Sequence, residues 1–217
     1  METLKGLGYH AEYRVLNALD FGLPQKRERI FIVGFRNAVC FDWPKSKIPM
    51  KPLIEILEDD VDASYYASEH IRTKRLSKQQ PTDEPTIWHE NKAGNISAYP
   101  YSCALRAGAS YNYLLVNGER RLTCREMLRL QGFPESFKIV CNYSQTRKQA
   151  GNSLPVPVAQ AVLERVFDAC NFNKKTETYN VDTLTVDGQL RLFEKAQNYD
   201  HVPKAKNRRK IQTTVSA

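Results

Sequence analysis

Nothing in the 217 residues approaches the ~18 consecutive apolar residues of a membrane span, and Met1-Glu2-Thr3-Leu4-Lys5 is not followed by the apolar core of a signal peptide. No membrane association is expected, and the chain is placed in the cytoplasm. Its five cysteines (Cys40, Cys103, Cys124, Cys141 and Cys170) contain no Cys-x-x-Cys pair, and their odd number and scatter speak against a disulfide framework. His10, His70, His89 and His201 are equally scattered, so a metal site would need ligands from distant positions, and none is expected. There is no internal repeat. Disorder throughout is excluded by an apolar fraction of 41%.

What is present is positive charge, unevenly placed. The formal net charge is +8, made of +3 over residues 1–50, −3 over 51–100, +4 over 101–170 and +4 over 171–217. Two basic regions flank an acidic one. Such a balance suits an anionic partner, although net charge speaks to association and not to fold.

Tyr9–Leu16 and Ile30–Phe35 read as strands. The second is continuously apolar, as in a strand buried on both faces of a sheet. Prolines 44, 49 and 52 break the next stretch, and an irregular, loop-rich middle follows. From Ser97 to Val116 aromatic and β-branched residues alternate, closed by the hairpin signal Asn117-Gly118. Thr123-Cys124-Arg125-Glu126 has the form of a capping box, which starts a helix that Gly132 and Pro134 end. A longer helix is predicted after a cap at Ser153, with Val158, Val162, Val166 and Cys170 on one stripe joined by Leu163 and Phe167. Beyond Asn171 the sequence is polar and ends in a basic run, Lys204–Lys210, predicted to be disordered.

Three segments carry candidate chemistry. Gln25, Arg27 and Arg29 stand at i, i+2 and i+4, so in one strand all three project from one face, where guanidinium groups suit a carbonyl or phosphate oxygen. An alternating charged edge is also a common guard against aggregation. The stretch from Arg120 to Pro134, with Arg121, Arg125 and Arg129, reads in isolation as an amphipathic helix with a basic face. In Gly151-Asn152-Ser153-Leu154-Pro155-Val156 a turn feeds a helix start, and the N–H groups of Ser153, Leu154 and Val156 are expected to face outward as an anion site.

Together, in order and spacing, these segments resemble the last motifs of the cytosine-C5 DNA methyltransferases: Pro-Gln-x-Arg-x-Arg at Pro24–Arg29, Arg-x-Leu-Thr-x-Arg-Glu…Gln-Gly-Phe-Pro from Arg120, and Gly-Asn-Ser at Gly151–Ser153. The similarity runs from about Gly8 to Phe167. It implies an α/β fold: the C-terminal fragment of a Rossmann-like methyltransferase domain plus a small irregular, mostly β target-recognition domain. The implied division is 1–37 for the last strands of the catalytic domain, 38–150 for target recognition with short helices, 151–171 for the closing helix, and 172–217 for a flexible basic tail.

The resemblance also implies roles. Arg29 would hold O2 of a cytosine flipped out of double-stranded DNA, with Gln25 and Arg27 in support. Asn152, beside Ser153, would contact the methionine end of S-adenosylmethionine. Arg121, Arg125 and Glu126 would organise the recognition region, and Arg106, Arg120, Arg121 and Arg125 would meet DNA. The family's nucleophile is a cysteine directly after a proline, attacking C6 of the base, and none of the five cysteines here follows a proline. The Glu-Asn-Val segment and the Gly-rich cofactor turn are also missing, and Ala104-Leu105 stands where the family has Thr-Leu. The expectation is therefore a C-terminal portion that starts about two-thirds of the way through the catalytic domain. It would need a protein partner carrying the missing N-terminal motifs. A DNA-binding or regulatory module without catalysis is the alternative, and a nonfunctional remnant is a third.

Overall fold

A computed structural model of the chain describes residues 1–45 and 48–170, so the tail expected over 172–217 lies outside the described residues. The chain opens with a short helix, α1 (Glu2–Gly6). It then runs out and back as an antiparallel ribbon of β1 (His10–Asn17) and β3 (Glu28–Phe35), with the two-residue β2 (Gln25–Lys26) between them. The register runs from His10 opposite Phe35 to Asn17 opposite Glu28. Side chains alternate across such a ribbon. One face presents Leu16, Phe31, Val33 and Phe35 to a hydrophobic cluster completed by Phe41, Trp43, Val158 and Val162.

The opposite face is bare. It carries the cross-strand pairs Tyr13–Ile32 and Val15–Ile30, whose members are 52–65% exposed. The run is apolar on both faces, as its sequence says, and among the described residues only one side of the ribbon has a cover.

The middle is built on a small antiparallel sheet. Before it stands α2 (Glu69–Leu76); then β4 (Ile87–Glu90) pairs on one side with β5 (Ile96–Tyr99) and on the other with β7 (Leu114–Val116). The two-residue β6 (Ser102–Cys103) runs parallel to β2 and so joins the two regions. At the turn after β7, Asn117 and Gly118 take φ of 50° and 76°. A Cβ at Gly118 would lie 2.3 Å from the buried Trp88 ring, so the position excludes any side chain.

Next comes α3 (Cys124–Leu130), opened by the expected reciprocal cap: Glu126 N–H donates to Thr123 Oγ1 at 3.1 Å and Thr123 N–H to Glu126 Oε2 at 2.8 Å. Met127 and Leu130 on α3 pack with Ile87, Leu114 and Leu122 in a second hydrophobic cluster.

A helix that the sequence reading missed follows, α4 (Tyr143–Asn152), capped by Asn142 Oδ1, which accepts from Gln145 N–H at 3.0 Å. The last helix, α5 (Val156–Ala169), begins after Pro155 and not at Ser153. Val158 and Val162 are buried against the ribbon, each worth roughly 1.5–3 kcal/mol, while Leu163, Phe167 and Cys170 on the predicted stripe stay exposed. No described helix is long and apolar enough to cross a membrane.

Candidate functional site

The strand carrying Gln25, Arg27 and Arg29 is not continuous. Residues 25–26 pair with β6 and residues 28–35 with β1, so the chain changes partner at Arg27, whose N–H donates to Asn17 Oδ1 at 3.1 Å. Across that change Gln25 and Arg27 still reach the same residue, Gln25 Oε1 accepting from Leu105 N–H at 3.5 Å and Arg27 donating to the Leu105 carbonyl, with Arg29 close enough for its charge to act on Arg27. Gln25 is fully buried, and its Nε2 donates to the Leu130 carbonyl at 2.9 Å, near the end of α3.

Arg27 is only 2% exposed. Its Nη1 donates to Leu105 O at 3.1 Å, and its Nη2 to Gly151 O at 2.9 Å and Ser153 O at 2.7 Å. Burial, followed by the positive charge of Arg29, draws Arg27 down to about 10. It is still a cation at neutral pH, which carbonyl dipoles must satisfy. Arg29 remains at the surface, half-buried, with Nη1 donating to its neighbour Glu28 O at 2.7 Å.

Gly151-Asn152-Ser153 closes α4 and does not open the next helix. Ser153 N–H donates back to Gln149 O at 2.9 Å, and Val156 N–H to Gln131 O at 2.8 Å. With two of its three donors taken, the expected anion site of backbone N–H groups is not formed. Gly151 is required by close approach: a Cβ there would stand 2.7 Å from the backbone N of Ala107. Arg27 grips the carbonyls on either side of Asn152, which is exposed. Ser153 Oγ donates to Ala150 O at 2.9 Å. The Asn152 amide is the exposed polar side-chain group of this segment.

The arginines expected at a nucleic-acid surface divide. Arg106 is exposed, its guanidinium 4.9 Å from the centre of the Tyr113 ring. Arg121 donates Nε to Tyr65 O at 3.3 Å and Nη2 to Ser64 O, and lies over Tyr143. Arg125 donates to Phe137 O at 3.0 Å. Arg120 is buried and turned inward onto Glu126, so it is not at the surface where the sequence reading placed it.

Two arginines were missed. Arg75 on α2 is buried, and Arg147 on α4 stacks on Tyr111 at 4.8 Å. Neither stands in an apolar periodic pattern, so nothing local in the sequence marks them. Among the described residues no group of three or more His, Cys, Asp or Glu could hold a metal ion.

Comparison with known proteins gives a consistent result. The sequence matches the family described as C-5 cytosine-specific DNA methylase over residues 1–168. It is 60% identical over 166 residues to the Type II methyltransferase M.NgoBI of Neisseria gonorrhoeae, covering 74% of this chain and 52% of that protein. It is 53% identical over 173 residues to the Type II methyltransferase M.HaeII of Haemophilus aegyptius, covering 78% and 54%. The chain spans about half the length of these curated relatives. Among solved structures it resembles the S. pombe Dnmt2 methyltransferase, with a TM-score of 0.56 at 20% identity over 79% of this chain and 61% of that one. It also resembles the Entamoeba histolytica methyltransferase EhMeth, with a TM-score of 0.56 at 14% identity over 77% and 56%. At such identities the structural likeness is one of fold alone.

Proposed function

The chain belongs to the C-5 cytosine-specific DNA methylase family, and we propose that it forms the C-terminal portion of a cytoplasmic DNA (cytosine-5)-methyltransferase of a restriction–modification system. The substrate is cytosine in double-stranded DNA, and S-adenosylmethionine supplies the methyl group when bound. The attacking thiolate and the acid that protonates the base come from sequence outside these 217 residues. What supports the reading above all is Arg27. Its three bonds, to Leu105, Gly151 and Ser153, join the first and last motifs at one buried point, and its neighbour Gln25 reaches the middle motif at Leu130 O, while Arg29 and Asn152 stay at the surface.

In this reading Arg29 donates to O2 of the flipped cytosine, because a guanidinium offers the right donors to a base carbonyl. Gln25 and Arg27 hold the frame. Asn152 contacts the methionine end of the methyl donor, with Ser153 fixing the helix end beside it. Arg106, Arg121 and Arg125 contribute the basic surface toward DNA. Arg120 serves that surface from within, through Glu126. The bare ribbon face, Tyr13, Val15, Ile30 and Ile32, packs against the part of the catalytic domain that bears the other motifs.

The decisive experiment is to produce the chain with and without a protein carrying those motifs and to measure incorporation of labelled methyl into DNA. Methyl transfer by the pair establishes the assignment. DNA binding without transfer by the pair would instead favour the noncatalytic DNA-binding or regulatory module, which the absence of a Pro-Cys dipeptide from these 217 residues also suits.

A further inference from the structure

Asn152 sits in a turn that Gln131 holds at both ends. Gln131 caps the C-terminal end of α3 and is fully buried. Its side-chain Nε2 donates to Ala150 O at 3.0 Å, before Asn152 in the chain, and its main-chain carbonyl accepts from Val156 N–H at 2.8 Å, after it. One residue of the middle motif thus brackets the segment that joins α4 to α5. Ser153 Oγ donates to the same Ala150 carbonyl at 2.9 Å. Gly132 completes the hold: at φ 79° it lets Pro157, in the first turn of α5, approach so closely that a Cβ would stand 2.5 Å from the proline Cδ.

The other side of the turn is backed as well. Gly151 lies against Ala107, in a stretch, residues 105–112, whose carbonyls are gripped by three arginines: Arg27 at Leu105, Arg147 at Ala109 and Ser110, and Arg75 at Asn112. Gln25 ties Gln131 to that wall, its Oε1 accepting from Leu105 N–H and from Gln131 Nε2, each at 3.5 Å. With the backbone fixed on both sides, the exposed Asn152 side chain has only its own rotamers left to lose on meeting a ligand.

Packing alone does not call for glutamine at this place. The Gln131 Oε1 is buried, and no described residue donates to it. A methionine of the same length would fill the space without an unpaired carbonyl. What the amide adds is its donor, and the acceptor it chooses is the carbonyl two residues before Asn152.

We propose that Gln131 is a positioning residue for Asn152: it stands in the motif implied to organise the recognition region, yet it acts on the turn assigned to the methyl donor. This rests on the cofactor role proposed for Asn152 above and goes beyond it by naming the residue that fixes that side chain in place.

The test has two arms. In the full 217-residue chain alone, hydrogen exchange is followed by NMR at the amides of Ser153 and Val156. Gln131→Met, which keeps the length and loses the donor, should speed exchange there about tenfold or more, while the amides of β4 exchange as in the unaltered chain. In the pair with the protein bearing the missing motifs, the same variant should raise KM for S-adenosylmethionine about fivefold or more, with kcat and KM for DNA changed by less than about twofold. Met127→Ala, buried one turn earlier in α3, is the control for general loosening. It should lower the melting temperature at least as much and leave KM for S-adenosylmethionine as it was. Unchanged exchange at Ser153 and Val156 in Gln131→Met overturns the proposal. So does a rise in KM for DNA in place of that for the methyl donor, or an equal rise in KM for the methyl donor in Met127→Ala. If the unaltered pair transfers no methyl group, or Asn152→Ala leaves KM for S-adenosylmethionine unchanged, the cofactor role of Asn152 has failed, and the exchange arm still decides whether Gln131 holds the turn.

Discussion

Arg120 and Glu126 meet through two parallel bonds inside the protein, Nη1 to Oε2 at 2.9 Å and Nη2 to Oε1 at 2.8 Å. The same carboxylate accepts from Thr123 N–H at 2.8 Å and from Glu58 N–H at 2.9 Å. Four donors thus converge on one fully buried acid, tying the start of α3 to the turn after β7 and to the segment around residue 58. Glu126→Gln would leave the Arg120 cation buried without its partner. The expected loss of stability is about 3–5 kcal/mol, measured as a shift of the urea unfolding midpoint.

That pair also shows where the sequence was legible. The cap between Thr123 and Glu126 is a contact across three residues, and the spacing alone discloses it. The inward turn of Arg120 depends on a carboxylate whose burial is decided by packing from residues far away, so an arginine in a basic stretch read as surface. For Gln25, Arg27 and Arg29 the spacing was legible, whereas the exchange of strand partners at Arg27 and the burial of Gln25 and Arg27 beside a half-buried Arg29 are tertiary events. The helix α4 escaped because its buried residues, Thr146, Ala150 and Gly151, are small or polar and make no apolar stripe. The ribbon and α5 were visible because their patterns are long and apolar.

The isolated chain should transfer no methyl group to DNA, since no cysteine among its residues follows a proline. Labelled methyl incorporation above a blank without protein would refute the proposed division of labour.

In the completed enzyme the two surface residues should separate kinetically. Arg29→Ala should lower kcat by about 10²–10³, the effect of losing a donor to developing charge, with DNA affinity nearly unchanged. Asn152→Ala should raise KM for S-adenosylmethionine while changing kcat little. The reverse pattern in steady-state kinetics would exchange their roles.

The bare ribbon face predicts association. A contiguous exposed apolar patch of this kind is characteristic of an interaction surface. Sedimentation velocity should show concentration-dependent self-association that Ile30→Thr with Ile32→Thr reduces, and the same double variant should weaken capture of the protein bearing the missing motifs. A monodisperse wild-type monomer that captures no such protein would contradict this use of the face.

Thiol reactivity gives a pH test of the packing. Burial pushes the Cys103 and Cys124 thiols above the ordinary thiol value, so at pH 8 their thiolate fraction is smaller than that of an open cysteine. Cys40 and Cys170 are exposed. Iodoacetamide at pH 8, followed by peptide mass mapping, should modify Cys40 and Cys170 first. The lag of Cys103 and Cys124 should shrink as pH rises, because deprotonation is what limits them.

The three arginines that grip residues 105–112 take hold of carbonyl oxygens, which every amino acid possesses. Shape and lettering in that loop are consequently separable. Ala107, Ala109 and Ser110 could be exchanged for other small residues, and Arg106 for another polar one, without removing any acceptor that Arg27, Arg75 or Arg147 uses. The freedom stops at Gly151, where a single methyl group would push the loop aside. A segment held this way can change its side chains by point substitution while its path in space is inherited intact.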